Sequence, residues 1–200
     1  MRAPDGTITE YDVPGAGTGP FQGTFNYGIT PAGATSGAYA DSNNVQHGYV
    51  RAPDGAITKY DVPGAGTDAG QGTLGGCINH AGTIVGDSLD ANNVFHSYVR
   101  FRDGAVTTVD VPGAGTGQYQ GTSASCNNSR NAITGWYTDA SNVNHGFLLL
   151  PSSEGDANFE LGNSATPVET APATESPSTV VPIKPALGIR VPRWGRGSGN

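Results

Sequence analysis

RAPDGTITEYDVPGAGT, residues 2–18, comes back as RAPDGAITKYDVPGAGT at 51–67 and as RFRDGAVTTVDVPGAGT at 100–116. The period is 49 residues without drift, carrying Asp12 to Asp61 and Asp110, and His47 to His96 and His145. The first two copies agree at 29 of 49 positions, which chance does not supply. A fixed period of this size marks a chain in which one supersecondary unit is stacked on its own copies. Three units, about 2–50, 51–99 and 100–150, make up an expected domain over residues 1–150.

Each unit reads as four short strands. Residues 7–13, with copies at 56–62 and 105–111, open on Asp-Gly and close on Pro-Gly, the usual strand punctuation. Ile8 is out of phase with Tyr11 and Val13, which predicts a bulge or burial on both faces. A second strand near 24–29 alternates Phe25, Tyr27 and Ile29. The third holds Gly37, Gly86 or Gly135 at its middle, where glycine marks the close approach of another backbone or aromatic face. The fourth is Val45-x-His47-x-Tyr49, repeated from Val94 and from Val143, and its period of two puts valine, histidine and the aromatic on one face.

The expected class is therefore all-β: three tandem 49-residue four-stranded antiparallel units resembling β-propeller blades. Closed propellers use about four to eight blades. Three units leave a partial ring within a longer protein, a ring closed by oligomerisation, or three sheets packed as a prism. The partial ring is the expectation, because residue 1 falls at a blade edge. Residues 1–6 lack the basic, apolar and small-residue segments of a secretory signal.

Composition narrows the function classes. With seven Leu and one Met in 200 residues, the chain lacks the apolar stripes of a helical bundle. The net charge of −7 and pI near 4.8 count against a nucleic-acid partner, which needs clustered Lys and Arg, and none is expected. No apolar run reaches the roughly 18 residues of a membrane-spanning helix. Residues 151–200 hold seven of the 14 prolines, including TPVETAPATESPS at 166–178, and read as a Pro/Ser/Thr-rich linker or disordered tail ending in Lys184, Arg190, Arg193 and Arg196.

The segments Gly37…Asp41…His47-Gly48-Tyr49, Gly86…Asp90…His96-Ser97-Tyr98 and Gly135…Asp139…His145-Gly146-Phe147 together resemble the HAF family of extracellular bacterial repeats. The stretch from Cys77-Ile78-Asn79 to Ile84-Val85-Gly86 is similar to that family's Gly-Ile-Asn-x-x-Gly-x-Ile-x-Gly segment. The resemblance covers about 150 of the 200 residues. It implies a secreted or surface-exposed, propeller-like protein with no established activity.

Several constellations invite chemistry. His47, His96 and His145 share a repeat position and would suit zinc if they met on a threefold axis. Recurrence in every unit favours instead a half-buried histidine that each blade needs for its own packing. Asp41, Asp90 and Asp139 begin Asp/Asn clusters of a kind that bind calcium, but no distal carboxylate completes the set, so a hairpin turn is expected. The Pro14–Thr18 loop with Gln22-Gly23-Thr24 recurs unchanged and lacks the Gly-Lys-[Ser/Thr] of a phosphate cradle; it reads as the connection from outer to inner strand. Cys77 and Cys126 are equivalent, with Gly28 as the first unit's counterpart, and are expected as two small buried thiols rather than a disulfide. A Cys77–His80 nucleophile pair lacks a third, orienting group. Tyr39, Trp136 and Tyr137 offer faces on which a sugar stacks, weighed against blade packing.

Because the polar groups recur while an active site needs one asymmetric set, no enzyme and no cofactor are expected. The leading function is an extracellular or cell-surface module for adhesion, recognition or surface structure. Its partners would be further blades, copies of itself, a glycan or a surface protein. The alternatives are a glycan-binding, lectin-like propeller and a piece of a larger secreted hydrolase.

Overall fold

The computed structural model describes Gly6 and residues 8–151, so the tail expected over 151–200 lies, after Pro151, outside the described residues. Among them there are eleven strands and no helix. The strands are β1 (Gly23–Ile29), β2 (Thr35–Ala40), β3 (Gln46–Arg51), β4 (Ile57–Tyr60), β5 (Gly72–Ile78), β6 (Ile84–Leu89), β7 (Phe95–Arg100), β8 (Val106–Val109), β9 (Gly121–Asn127), β10 (Ile133–Thr138) and β11 (Asn144–Leu149). They make one open mixed sheet. Within it β1–β4, β5–β8 and β9–β11 are antiparallel meanders, each joined to the next by a single parallel bridge, Gln46 to Gly72 and Phe95 to Gly121. Beyond those bridges β5 lies against β1 and β2, and β9 against β5 and β6, so successive meanders also pack by their faces.

Glycine makes the tight parts possible. A Cβ on Gly37, Gly86 or Gly135 would overlap the carbonyl oxygen of Phe25, Gly75 or Ser123 on the neighbouring strand. The mid-strand glycines therefore mark backbone-to-backbone contact. Bulges fall between Asn26 and Gly28 and between Thr73 and Gly76; Ile8, expected at a bulge or buried on both faces, is 72 % exposed. Residues 8–13 form no ladder; Ile8 makes one isolated bridge. Their copies β4 and β8 pair with β3 and β7, the His strands that precede them. No His strand precedes residues 8–13 among the described residues, and a strand exists only where a neighbour takes its hydrogen bonds.

Three small apolar cores follow the repeat. Val13, Tyr39 and Tyr49 close the first, with Tyr11, Ala16 and Ile57 beside them. Val62, Ile78, Ile84 and Tyr98 make the second, and Val50 and Tyr60 reach into it from the first meander. Val85, Val99 and Val109 meet Ala124 and Ile133 of the third meander in the last. The loops that follow β4 and β8 lock onto the next inner strand through Val62 N–H to Thr73 Oγ1 and Val111 N–H to Thr122 Oγ1, both 2.9 Å. Val13 N–H donates to Thr24 Oγ1 in the same way at 2.9 Å.

Candidate functional site

The three histidines stay apart, each inside its own meander. His47 Nδ1 lies 2.8 Å from Asp61 Oδ1, and His96 Nδ1 lies 2.9 Å from Asp110 Oδ2. On the other ring edge Nε2 faces Asp41 or Asp90 at 3.7 Å, and His145 Nε2 faces Asp139 at 3.2 Å. Tyr39 stacks on His47 and Tyr137 on His145, with ring centroids 4.9 Å apart. His47 thus clasps the β2–β3 turn, an aromatic ring and the segment after β4; His96 has the turn and the following segment without a ring, and His145 the turn and a ring. Among the described residues, no group of three or more His, Cys, Asp or Glu side chains is arranged to hold a metal ion.

Asp41, Asp90 and Asp139 shape the turns. Oδ1 of Asp41 accepts from the N–H groups of Asn43 and Val45 at 2.8 and 2.9 Å, and the other two repeat the pattern. Asn44, Asn93 and Asn142 take the left-handed conformation with φ of 64°, 60° and 63°, which asparagine tolerates. Burial raises the pKa of Asp41 and Asp90, but the turn N–H bonds and the nearby histidine outweigh it and hold both below the usual range. In Asp139 the Val143 N–H bond leads the downward shift, with His145 assisting. In each carboxylate Oδ1 is thus taken by two turn N–H groups, and Oδ2 faces the histidine.

The glycine-rich loops are plugged by glutamine. A Cβ on Gly17, Gly66 or Gly115 would overlap Oε1 of Gln22, Gln71 or Gln120, whose amides reach the next turn at Ser42 O, Ala91 O and Asn142 Oδ1. In the second and third copies these loops join β4 to β5 and β8 to β9.

Cys77 and Cys126 correct an expectation: they form a disulfide, with a Cα–Cα distance of 5.2 Å and no free thiol remaining. The inner strands β5 and β9 lie close enough for equivalent side chains to meet. No Cys77 thiol is then available to pair with His80. Of the aromatics, Tyr39 is 6 % exposed, Tyr137 is half-buried against His145, and Trp136 is 46 % exposed. They share no common surface.

Residues that break the repeat escaped the sequence reading. One is Asp87, whose counterparts are Ala38 and Trp136. It accepts from Ser97 Oγ at 3.2 Å and from Ser123 Oγ and Ala124 N–H of the third meander at 2.6 and 2.7 Å. Burial pushes its carboxyl up to about 6, against the pull of those three bonds. The others are His80 and Arg102, whose counterparts are Pro31 and Ser129, and Pro53 and Pro151. Together with Arg100 they line a cleft of about 310 Å³ between the first and second meanders, whose other walls include Thr30, Val50 and Ile78. No carboxylate lines it.

Arg100 is 9 % exposed, and its Nε is buried without a hydrogen-bond partner. The guanidinium lies 4.7 Å over the Tyr60 ring, and Nη1 reaches Phe101 O at 3.4 Å. Burial pushes the Tyr60 hydroxyl up to about 12, more than its bond to Tyr98 and the charge of Arg100 draw it down, so it stays neutral beside that charge. No carboxylate pairs with Arg100 among the described residues. A signal was available: a period of 49 makes every departure from it visible.

A scan against family models, a search of curated proteins and a search of solved structures each returned no match.

Proposed function

We propose that this chain is a non-enzymatic recognition module of propeller-like sheets, working outside the cell, and that its ligand is an anionic polymer such as a carboxylated or sulfated glycan. One observation carries the reading: Arg102, an arginine where the other two units have proline, lines a single cleft free of carboxylates together with His80 and with Arg100, whose buried Nε has no hydrogen-bond partner. A buried guanidinium without a counter-ion is costly, and an incoming carboxylate or sulfate ester offsets that cost through charge-assisted hydrogen bonds. The repeated His–Asp and Asp–Asn sets, by contrast, are occupied within the scaffold. That favours a binding role over catalysis, which needs free acid, base and nucleophile in one place.

Two supports bear on location. The resemblance to HAF repeats implies a secreted or surface protein. A disulfide persists in oxidising compartments and is rare in a reducing cytosol.

Titration calorimetry with an oligouronate, a sulfated oligosaccharide and a neutral oligosaccharide of equal length tests the proposal. Binding is expected for the two acidic probes, weakening as salt is raised. Arg102→Gln, at an exposed position, should weaken it about tenfold or more, the scale of a lost charge-assisted hydrogen bond. Equal affinity for the neutral probe, or wild-type affinity in Arg102→Gln, overturns it.

A further inference from the structure

Both ends of the stack of meanders expose apolar surface at positions that are covered elsewhere in the same molecule. At one end Phe25 is 37 % and Ile29 49 % exposed; at the other Trp136 is 46 % and Leu148 66 % exposed. The repeat gives each a covered counterpart. Ile78, the copy of Ile29, is 7 % exposed because it sits in the core that Val50 joins from the first meander. Val99, the copy of Leu148, is 1 % exposed in the core shared with Ala124 and Ile133 of the third. Trp136 stands where Asp87 reaches Ser123, and Phe25 is the copy of Ser123's position. The two ends are therefore the halves of one interface that the molecule already makes twice.

The polar features agree. β4 covers Gly48 so closely that a Cβ there would meet the Tyr60 ring at 2.5 Å, whereas one on Gly146 would find nothing nearer than 4.0 Å. Tyr11, the copy of Tyr60, already bonds forward to Tyr49 at 3.1 Å, as Tyr60 bonds to Tyr98 at 2.9 Å. It lacks only the glycine strand behind it. His145 has no partner at Nδ1 among the described residues, where His47 and His96 hold Asp61 and Asp110. Asp12, the copy of those two aspartates, is exposed.

We infer that the outer edge and face of β11 receive residues 9–12 and the first meander of a second copy of this chain. The register follows from the two internal examples. Tyr11 pairs with Gly146, Glu10 with Phe147 and Thr9 with Leu148, as Tyr60, Lys59 and Thr58 pair with Gly48, Tyr49 and Val50. Asp12 meets His145 Nδ1, Gly23 takes the parallel bridge to Asn144, Ile29 packs on Leu148 and Phe25 on Trp136. The contact is head-to-tail, so it builds either a ring or a filament. Two copies bring six meanders, within the roughly four to eight that close a propeller. The inference rests on the propeller-like stacking proposed above and is independent of any ligand.

Light-scattering mass of the full 200-residue chain tests it. A particle of twice 20.4 kDa is expected. Ile29→Asp removes the donor face and Leu148→Asp the acceptor face. Each residue is exposed, so folding, read by far-ultraviolet dichroism, should hold while association weakens about 100-fold through burial of a charge. A head-to-tail contact makes one further demand: mixing the two variants restores pairing above that of either alone, because the sound donor of one meets the sound acceptor of the other at one of the two contacts. A wild-type monomer at micromolar concentration overturns the inference. So does a dimer that neither variant weakens, or a mixture that pairs no better than either variant alone.

Discussion

Asp87→Asn should stabilise this protein at neutral pH and leave it unchanged near pH 3.5. The carboxyl is buried between the second and third meanders and sits at about 6 instead of its ordinary 3.8. That displacement corresponds to about 3 kcal/mol of preference for the protonated form in the folded state. Below 3.8 the acid is protonated both folded and unfolded, and no penalty exists. Between 3.8 and 6 the unfolded chain ionises first, so stability falls as pH rises; above 6 the full penalty persists. Asparagine retains an Oδ1 acceptor for Ala124 N–H and Ser97 Oγ and presents an amide to Ser123 Oγ. It therefore removes the charge while keeping the bonds. Urea midpoints for wild type and variant from pH 3.5 to 8 give the comparison directly, because other titrating groups are common to both and cancel. The variant should lead by up to about 3 kcal/mol above pH 6, and the gap should close with an apparent midpoint between 4 and 6. A variant that is less stable by the same amount at every pH would show that the carboxylate is a net structural tie, and the argument from burial would fail.

Two further outcomes follow from the geometry. Cys77 and Cys126 close a loop with a sequence separation of 49, so Cys77→Ser with Cys126→Ser should cost about 4 kcal/mol by the chain-entropy relation; an unchanged thermal melt in strong reductant would contradict it. Asp90→Ala strips the acceptor from Asn92 and Val94 N–H and should cost about 1–2 kcal/mol, while Asp90→Asn keeps most of the stability. Equal losses in the two, or a calcium-dependent rise of melting temperature, would give the carboxylate charge a role beyond the turn.

Much of the fold was legible because it is local. Alternation and punctuation located the His strands, Asp-Asn predicted the hairpin turns, and mid-strand glycine predicted backbone contact at Gly37, Gly86 and Gly135. What was not legible depends on neighbours. Residues 8–13 carry the same strand chemistry as β4 but form no ladder, because pairing is a property of two segments and not of one. The phase of Ile8 predicts a bulge or burial on both faces, and it has neither; the structure puts bulges in β1 and β5, where Gly28 and Gly75 lie against the backbone of Ile78 and Gly37 of the neighbouring meander. The disulfide was missed for the same reason, since the distance between equivalent inner strands follows from how the meanders stack.

The departures from the repeat have a physical logic of their own. Nearly identical units face a particular hazard, because any meander could dock on any other and domain-swapped or misordered stacks would cost little. The first junction carries Ser36 Oγ donating to Gly76 O at 2.6 Å, a bond that reads only backbone, and the Tyr60–Tyr98 hydroxyl pair at 2.9 Å, which the repeat provides again as Tyr11–Tyr49. The second carries Asp87 on Ser123 and Ala124, Asn79 Nδ2 on Asn128 O at 2.9 Å, and the Cys77–Cys126 bond. Gly28 stands where the other units have cysteine, so the disulfide can form only between the second and third meanders within one chain. The middle unit thereby holds different chemistry toward each neighbour, with cationic side chains in the cleft on one side and a buried acid with a covalent link on the other. Order along the stack is written in the residues that fail to repeat, which give each of the two junctions among the described residues its own chemistry.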